Sequence, residues 1–279
     1  MAVSEIAEGE IMSRIPKIIH YCWFGGNPLP PLALRCIESW KKYCPDYELR
    51  EWNENNFDVN YNAYAKEAYE AGKWAFVSDV ARLWAVYSAG GIYFDTDVEI
   101  IKPIDDLLAH GMFIGFENGE YINTGQGFGA EKCFYAVQKM LDAYGSMSFV
   151  RADGTFDTTP CPVYDTEAMR REGFIINNAK QTLGDITVYP SEYFCPKDGK
   201  TGIVTITENT RAIHHFDGSW LTAEQKQEHE IVTMYRRKYG KTLGEAIYVI
   251  VAVCTFRRAA LKNITGKIKC RISGADGTK

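Results

Sequence analysis

The chain of 279 residues is 46% apolar and 24% charged, the balance of a folded globular protein, and is long enough for one large α/β domain or two small ones. A net charge of −5 argues against nucleic acid as a partner. Eight cysteines (Cys22, Cys36, Cys44, Cys133, Cys161, Cys195, Cys254 and Cys270) form no CxxC pair, suggest neither a zinc ribbon nor a disulfide framework, and read as reduced structural thiols.

Residues 1–14, "MAVSEIAEGEIMSR", are acidic and lack an apolar h-region, so they read as a leader segment outside the folded domain rather than a signal peptide, and a cytoplasmic setting is expected. "IPKIIHYCWFGG" starts as a buried strand from Ile15 to Trp23 and ends in a Gly-Gly loop. In "PLALRCIESWKKYCP", Leu32, Leu34, Ile37 and Trp40 fall near helical spacing, and Pro45 stops the helix. "YELREW" reads as strand, "NAYAKEAYEAGKW" as helix, and "FVSDVARLWAVYSAGG" as a second helix closed by glycine. After a strand over "GGIYFDTDVEIIKPI" come strand and loop in "MFIGFE" and "GQGFGA", a helix in "KCFYAVQKMLDAYG", and late strands in "DITVYP" and "RAIHHF". Strands alternating with helices at this spacing predict an α/β fold with a largely parallel sheet. The tyrosines and tryptophans between Trp40 and Trp84 read mostly as amphipathic core, and His20 as a hydrogen-bonded core histidine.

The chain ends differently from the rest. An apolar run from Ala246 to Phe256, "AIYVIVAVCTF", is shorter than the ~20 residues that span a bilayer. After it, Arg257, Arg258, Lys262, Lys267, Lys269, Arg271 and Lys279 face the single acid Asp276. Residues 241–279 therefore read either as an amphipathic, basic tail lying on the inner face of an anionic membrane, or as a helix packed on the domain with a solvated end.

The strand "GGIYFDTDVEIIKPI" poses the sharpest question. In an extended chain Asp95 and Asp97 point to one side, where like charges destabilise each other unless something positive lies between them. The run is either a solvated turn or half of a metal site. Ligands of parallel α/β sheets bind beyond the carboxyl ends of the strands, and the Asp-Thr-Asp sits where an apolar strand would leave the sheet.

The unit "FVSDVARLWAVYSAGGIYFDTDVEIIKPI" closely resembles the donor-binding block of glycosyltransferases with the GT-A fold. Within these, it is similar to the mannosyltransferase-like and capsular polysaccharide sugar transferases of glycosyltransferase family 32, and to the catalytic domains of the clostridial glucosylating toxins. The pattern is Ser-Asp-x-x-Arg followed by Gly-Gly-x-Tyr-x-Asp-x-Asp. "IPKIIHYCWFGG" resembles the opening strand of that family and "AIHHFDGSW" its closing His-x-x-Gly-Ser-Trp block, in the family's order, so the likeness runs from Ile15 to Trp220.

The resemblance implies a GT-A (Rossmann-like) catalytic domain over residues 15–240. It also implies a UDP-sugar or GDP-sugar donor, a saccharide or lipid-linked saccharide acceptor, and a role in capsule, lipopolysaccharide or exopolysaccharide synthesis. Asp95 and Asp97 would ligate Mn²⁺, with Mg²⁺ the alternative, Asp97 the firmer direct ligand and Asp95 working through water or the ribose. The third ligand is expected at His215, three residues before Gly218, with His214 the lesser candidate. Ser219 and Trp220 would donate hydrogen bonds to the distal phosphate. Trp23 would stack on the nucleobase, its alternative being a buried core tryptophan. Asp79 and Arg82, one helical turn apart, would hold the sugar hydroxyls and reach towards the phosphate, the alternative being an ordinary i,i+3 surface salt bridge. Asn123, ahead of a Gly-rich loop, is a further donor-contact candidate. Glu99, Asp105 and Asp106 read as solvated or capping. Transfer is expected to retain anomeric configuration. A metal-dependent sugar-nucleotide hydrolase and a non-catalytic glycan-binding module are the rival readings.

Overall fold

The apolar run Ile18–Cys22 forms β1 and pairs in parallel with β2 (Glu48–Trp52) on one side and β3 (Gly91–Tyr93) on the other. The computed structural model describes residues 13–219 and 221–252. From β3 the sheet continues through β7 (Phe128–Ala130), β5 (Met112–Glu117), β9 (Ile186–Tyr189) and β8 (Gln181–Leu183), and the short β6 (Tyr121–Ile122) pairs with β5. Along this path β7 and β8 run against the other five strands. A separate antiparallel pair joins β4 (Val98–Ile100) to β10 (Ala212–His214), with His214 opposite Val98. The class is the expected one: α/β, with a mostly co-directional central sheet flanked by helices.

The period-2 alternation of β3 sorts its side chains between two cores. Ile92 and then Phe94 face a cluster built with Cys36, Ile37 and Trp40 of α1 (Pro31–Tyr43). Tyr93 faces the opposite cluster, which includes α2 (Ala63–Glu70), α3 (Trp74–Ala89), α4 (Tyr135–Gly145) and Met169 of α5 (Cys161–Arg170). α1 also fixes β4: the Trp40 indole N–H donates to Val98 O at 2.8 Å, and Ser39 Oγ accepts from the Ile100 N–H at 2.9 Å. Gly90 and Gly91 have φ of +70° and +111°, and a Cβ on Gly91 would lie 2.8 Å from Ile18 O and 2.9 Å from His20 Nε2. Only glycine lets β3 approach β1 this closely.

Four features depart from the sequence reading. The Asp-Thr-Asp run is not one strand: the chain leaves the main sheet after Tyr93 and joins β10 at Val98, and Asp95–Asp97 make the turn between. α5, β6 and β8 arise in a region whose sequence carried no clear period. α6 (Ala223–Tyr239) is a full helix, opened by a capping box between Thr222 and Gln225 and closed by Arg236, Arg237 and Lys238 in its last turn. A boundary was expected at residue 240, whereas among the described residues one compact unit holds 13–198 and 204–219, and a second holds 199–203 and 221–252. α6 and a further helical stretch, 241–252, lie in the second unit. The six cysteines among the described residues are free thiols, and the leader and the basic residues from Arg257 onward lie outside the described residues.

His20 is fully buried, as a core histidine should be. Its Nδ1 accepts from the Trp52 indole N–H at 3.0 Å, so the proton sits on Nε2 and is donated to Gly90 O at 2.8 Å. Burial drives its pKa down to about 4. Below the ordinary value near 6.5 the unfolded chain therefore gains a proton that the native state refuses, and stability falls by about 1.4 kcal/mol per pH unit until about 4. In urea denaturation, His20→Gln should lose about 2 kcal/mol less than the parent between pH 7 and 5. An unchanged slope would reject this neutral, buried histidine.

Candidate active site

The carboxyl ends of β1 and β3 lie side by side because the strands are parallel neighbours. β7 runs the other way, with Phe128 opposite Tyr93, so the loop before it returns to the same edge. Asp95 N–H donates to Gly125 O at 2.8 Å and closes that loop onto the Asp-Thr-Asp turn. Trp23, the residue after β1, is half-buried, and its indole N–H donates to Asn27 O at 2.6 Å.

α3 is apolar on most sides, with Phe76, Val77, Val80, Leu83 and Val86 buried, and carries Asp79 and Arg82 into that buried setting. Arg82 Nη1 meets Asp79 Oδ1 at 3.0 Å and Cys161 Sγ at 3.0 Å, while Nη2 meets Asp95 Oδ1 at 3.1 Å. Side-chain exposures of 4% for Arg82 and 9% for Asp79 exclude the surface salt bridge. The guanidinium also lies over the Tyr93 ring, 5.1 Å from its centroid, and the Tyr93 hydroxyl donates to the same Asp95 oxygen at 2.9 Å.

The two carboxylates of the turn are thus partnered separately. Asp95 takes Arg82 and Tyr93. Asp97 takes the Asp217 N–H at 2.8 Å on Oδ2 and His214 Nε2 at 3.5 Å on Oδ1. Burial pushes both carboxyls towards the neutral form. For Asp97 the neighbouring His214 charge and the hydrogen bonds outweigh it and bring the pKa to about 2, whereas Asp95 stays raised.

Asp95, Asp97 and His214 each offer an atom within 4.8 Å of the others. Two hard carboxylate oxygens and one imidazole nitrogen fit Mn²⁺ or Mg²⁺. Asp95 Oδ2, the oxygen that Arg82 does not use, lies 2.2 Å from where a Cβ on Gly125 would be, so only glycine lets the loop close against it. The expected third position was His215; the structure brings His214 to the carboxylates instead. β10 ends at His214, and successive side chains of an extended chain point to opposite sides, so His215 turns to Glu99 Oε2 at 2.8 Å. Glu99 is correspondingly part-buried rather than solvated, while Asp105 and Asp106 pair with Lys17 at 2.8 Å and Arg211 at 3.0 Å. Ser219 is exposed, just past Gly218 at φ +61°, and Trp220 lies outside the described residues.

Asn123 is buried, its carbonyl oxygen accepts from the Gly125 N–H at 2.6 Å, and its amide donates to Glu117. Two neighbours escaped the sequence reading. Cys161, the first residue of α5, lies against Arg82 and Asn123, and Asp165 on the same helix accepts from the Thr124 N–H and hydroxyl at 3.1 and 2.8 Å. Burial raises Asp165 to about 6 against the Thr124 hydrogen bonds, and raises Asp79 to about 7 against the pull of Arg82. No spacing rule links residues 79, 95, 123 and 165; only the Gly-rich loop signalled a close approach.

Residues 30–114 match the family described as "Glycosyltransferase sugar-binding region containing DXD motif". The similarity is to DXD-type glycosyltransferases. Asp79, Arg82, Asp95 and Asp97 fall inside the matched DXD region; Trp23, Asn123, the two histidines and Ser219 lie outside it. Inositol phosphoceramide mannosyltransferases 1 and 3 of Schizosaccharomyces pombe are each 29% identical, over 119 and 129 residues. These alignments cover 39% and 41% of this chain, and 35% and 34% of those proteins. An uncharacterized glycosyltransferase, L373, of Acanthamoeba polyphaga mimivirus is 32% identical over 109 residues, 36% of this chain and 42% of that one. The chain thus spans between a third and about two-fifths of the length of these curated relatives. Among solved structures, the PaToxG glycosyltransferase aligns at TM-score 0.42 and 18% identity over 57% of this chain and 70% of its own. A glycosyltransferase involved in glycosylation of the major capsid of PBCV-1 aligns at 0.44 and 14% over 77% and 100%.

Within the DXD region, Arg82 is the group whose loss should be felt most. Arg82→Met leaves Asp79 and Asp95 buried without a cation, which should cost about 3–5 kcal/mol in urea denaturation. A loss below about 1 kcal/mol would mean that the carboxylates had already been compensated elsewhere.

Proposed function

We propose that this chain is a metal-dependent, retaining glycosyltransferase that moves a sugar from a UDP- or GDP-sugar to a saccharide or lipid-linked saccharide acceptor in cell-surface polysaccharide synthesis. The observation that carries the reading is the convergence of Asp95, Asp97 and His214 beside the buried Asp79–Arg82 pair, inside and next to the matched DXD region. The names of the curated relatives support a glycosyl donor and, for two of them, a phosphoceramide-type acceptor.

A divalent cation held by Asp95, Asp97 and His214 would supply Lewis-acid stabilisation to the departing diphosphate. The other roles fall to the chain. Trp23, with its N–H committed to Asn27, offers its ring faces to the nucleobase. Arg82 holds Asp95 in orientation, and Asp79 and Arg82 together present a carboxylate and a guanidinium to donor hydroxyls and phosphate. Asn123 keeps the Gly125 turn tight against Asp95. Ser219 and Trp220 donate to the distal phosphate as negative charge develops there.

Retention rests on the state of the carboxylates. Asp79 is engaged by Arg82, Asp165 by Thr124 and Glu117 by Asn123, so each of these carboxyls already has a partner within the protein. In front-face transfer the departing phosphate oxygen takes the acceptor's proton as the new glycosidic bond forms, through an oxocarbenium-like transition state.

Two measurements test the site. Calorimetry with a panel of sugar nucleotides should find one donor whose binding requires Mn²⁺ or Mg²⁺ and is lost in Asp97→Ala. No binding to any nucleotide would remove the proposal, and nucleotide release that no acceptor accelerates would turn it to hydrolysis. His214→Ala should weaken Mn²⁺ binding by about tenfold or more, in the range set by loss of a metal's supporting groups, while His215→Ala leaves it nearly unchanged. The reverse ranking would restore His215 to the ligand set.

A further inference from the structure

The second compact unit carries an apolar face that the site chemistry does not use. In the helical stretch 241–252, residues 243, 246, 247, 250 and 251 project to one side at 3.6 residues per turn, and 241, 245 and 248 to the other. Leu243, Ile250 and Val251 on the apolar side are 59%, 63% and 41% exposed. The polar side is tied down within the unit: Glu245 pairs with Arg236 at 3.0 Å, and the Tyr248 hydroxyl donates to Glu228 at 2.6 Å. Apolar side chains are thus exposed along this helix, Val249 among them at 52%, beside the exposed Lys241 and Glu245. A groove of about 700 Å³ runs beside it, lined by Ala246, Val249 and Ile250 and edged by Glu245, Lys200 and Lys241.

We propose that this face docks on an anionic lipid surface. Charge complementarity selects the occupant. The chain continues beyond this helix to a segment, from Arg257 to Lys279, with seven basic residues and one acidic. A second copy of the chain would bring like charge to the same place, whereas an anionic bilayer offers hydrocarbon to the apolar side chains and phosphate to the lysines and arginines. Among the described residues no helix is long and apolar enough to cross a membrane, so the contact is with the surface. The inference is independent of the reaction proposed for the first unit.

The test uses the full chain in flotation with vesicles of phosphatidylcholine alone, or with about one-third phosphatidylglycerol. Binding should require phosphatidylglycerol and weaken at high salt, as screening dictates. Leu243→Glu/Ile250→Glu should reduce partitioning by at least about tenfold. Arg257→Ala/Arg258→Ala, which leaves the described helix intact, should reduce it roughly 25-fold at about fivefold per charge. Equal binding to both vesicle types, binding to neither, or a dimer in light scattering that Leu243→Glu/Ile250→Glu dissolves would each overturn the proposal.

Discussion

A single buried guanidinium ties this site together. Arg82 joins α3 to the Asp-Thr-Asp turn through Asp79 and Asp95, stacks over Tyr93 and touches Cys161 at the start of α5. A lysine could not do this, since an ammonium has no planar fork to share between two carboxylates, a thiol and a ring face. The hydrophobic helix around it makes the arrangement obligatory. Once Asp79 and Arg82 are on the buried side of α3, neither can find water, and each must find the other.

The turn then depends on that helix. Asp95 follows Tyr93 by two residues and so projects to the α3 side, where Arg82 fixes it. Asp97 lies beyond the end of the main sheet and takes its partners from the chain around β10. Trp40 and Ser39 of α1 hold β4 by its backbone, and β4 holds β10. The two aspartates, two positions apart in sequence, are therefore positioned by opposite layers of the fold. This resolves the electrostatic conflict between them. Each carboxylate has its own cationic neighbour, and the open sides are left facing one another.

How much of this the sequence disclosed depends on the range of the interaction. The strand–helix alternation, the closing Gly90-Gly91 and the neutral core role of His20 follow from local periods and turn chemistry, and they were legible. The Asp79–Arg82 spacing was visible too, but burial was what distinguished it from a surface pair, and burial follows from α3 being apolar on most sides. The imidazole beside the carboxylates is that of His214, the lesser candidate, because which side of β10 faces the turn is set by its pairing with β4 and not by the distance to Gly218. Cys161 and Asp165 were invisible for a different reason: they reach the site through the packing of α5, and no local period reports contacts between residues 38 to 79 positions apart. The capping box that opens α6, in contrast, was plain in "LTAEQKQ" and was overlooked.

The charge balance of the site links its ligands to its stability. Among the described residues Asp79, Asp95, Asp97 and Asp165 share one guanidinium and one imidazole, and burial alone pushes all four carboxyls towards protonation. Such a cluster holds excess negative charge that the protein only partly offsets. A divalent cation held by the native arrangement and not by the unfolded chain would stabilise the fold in proportion to its occupancy, about 2.7 kcal/mol at a hundredfold excess over its dissociation constant. A diphosphate alone brings more negative charge to the same place and has no comparable reason to bind.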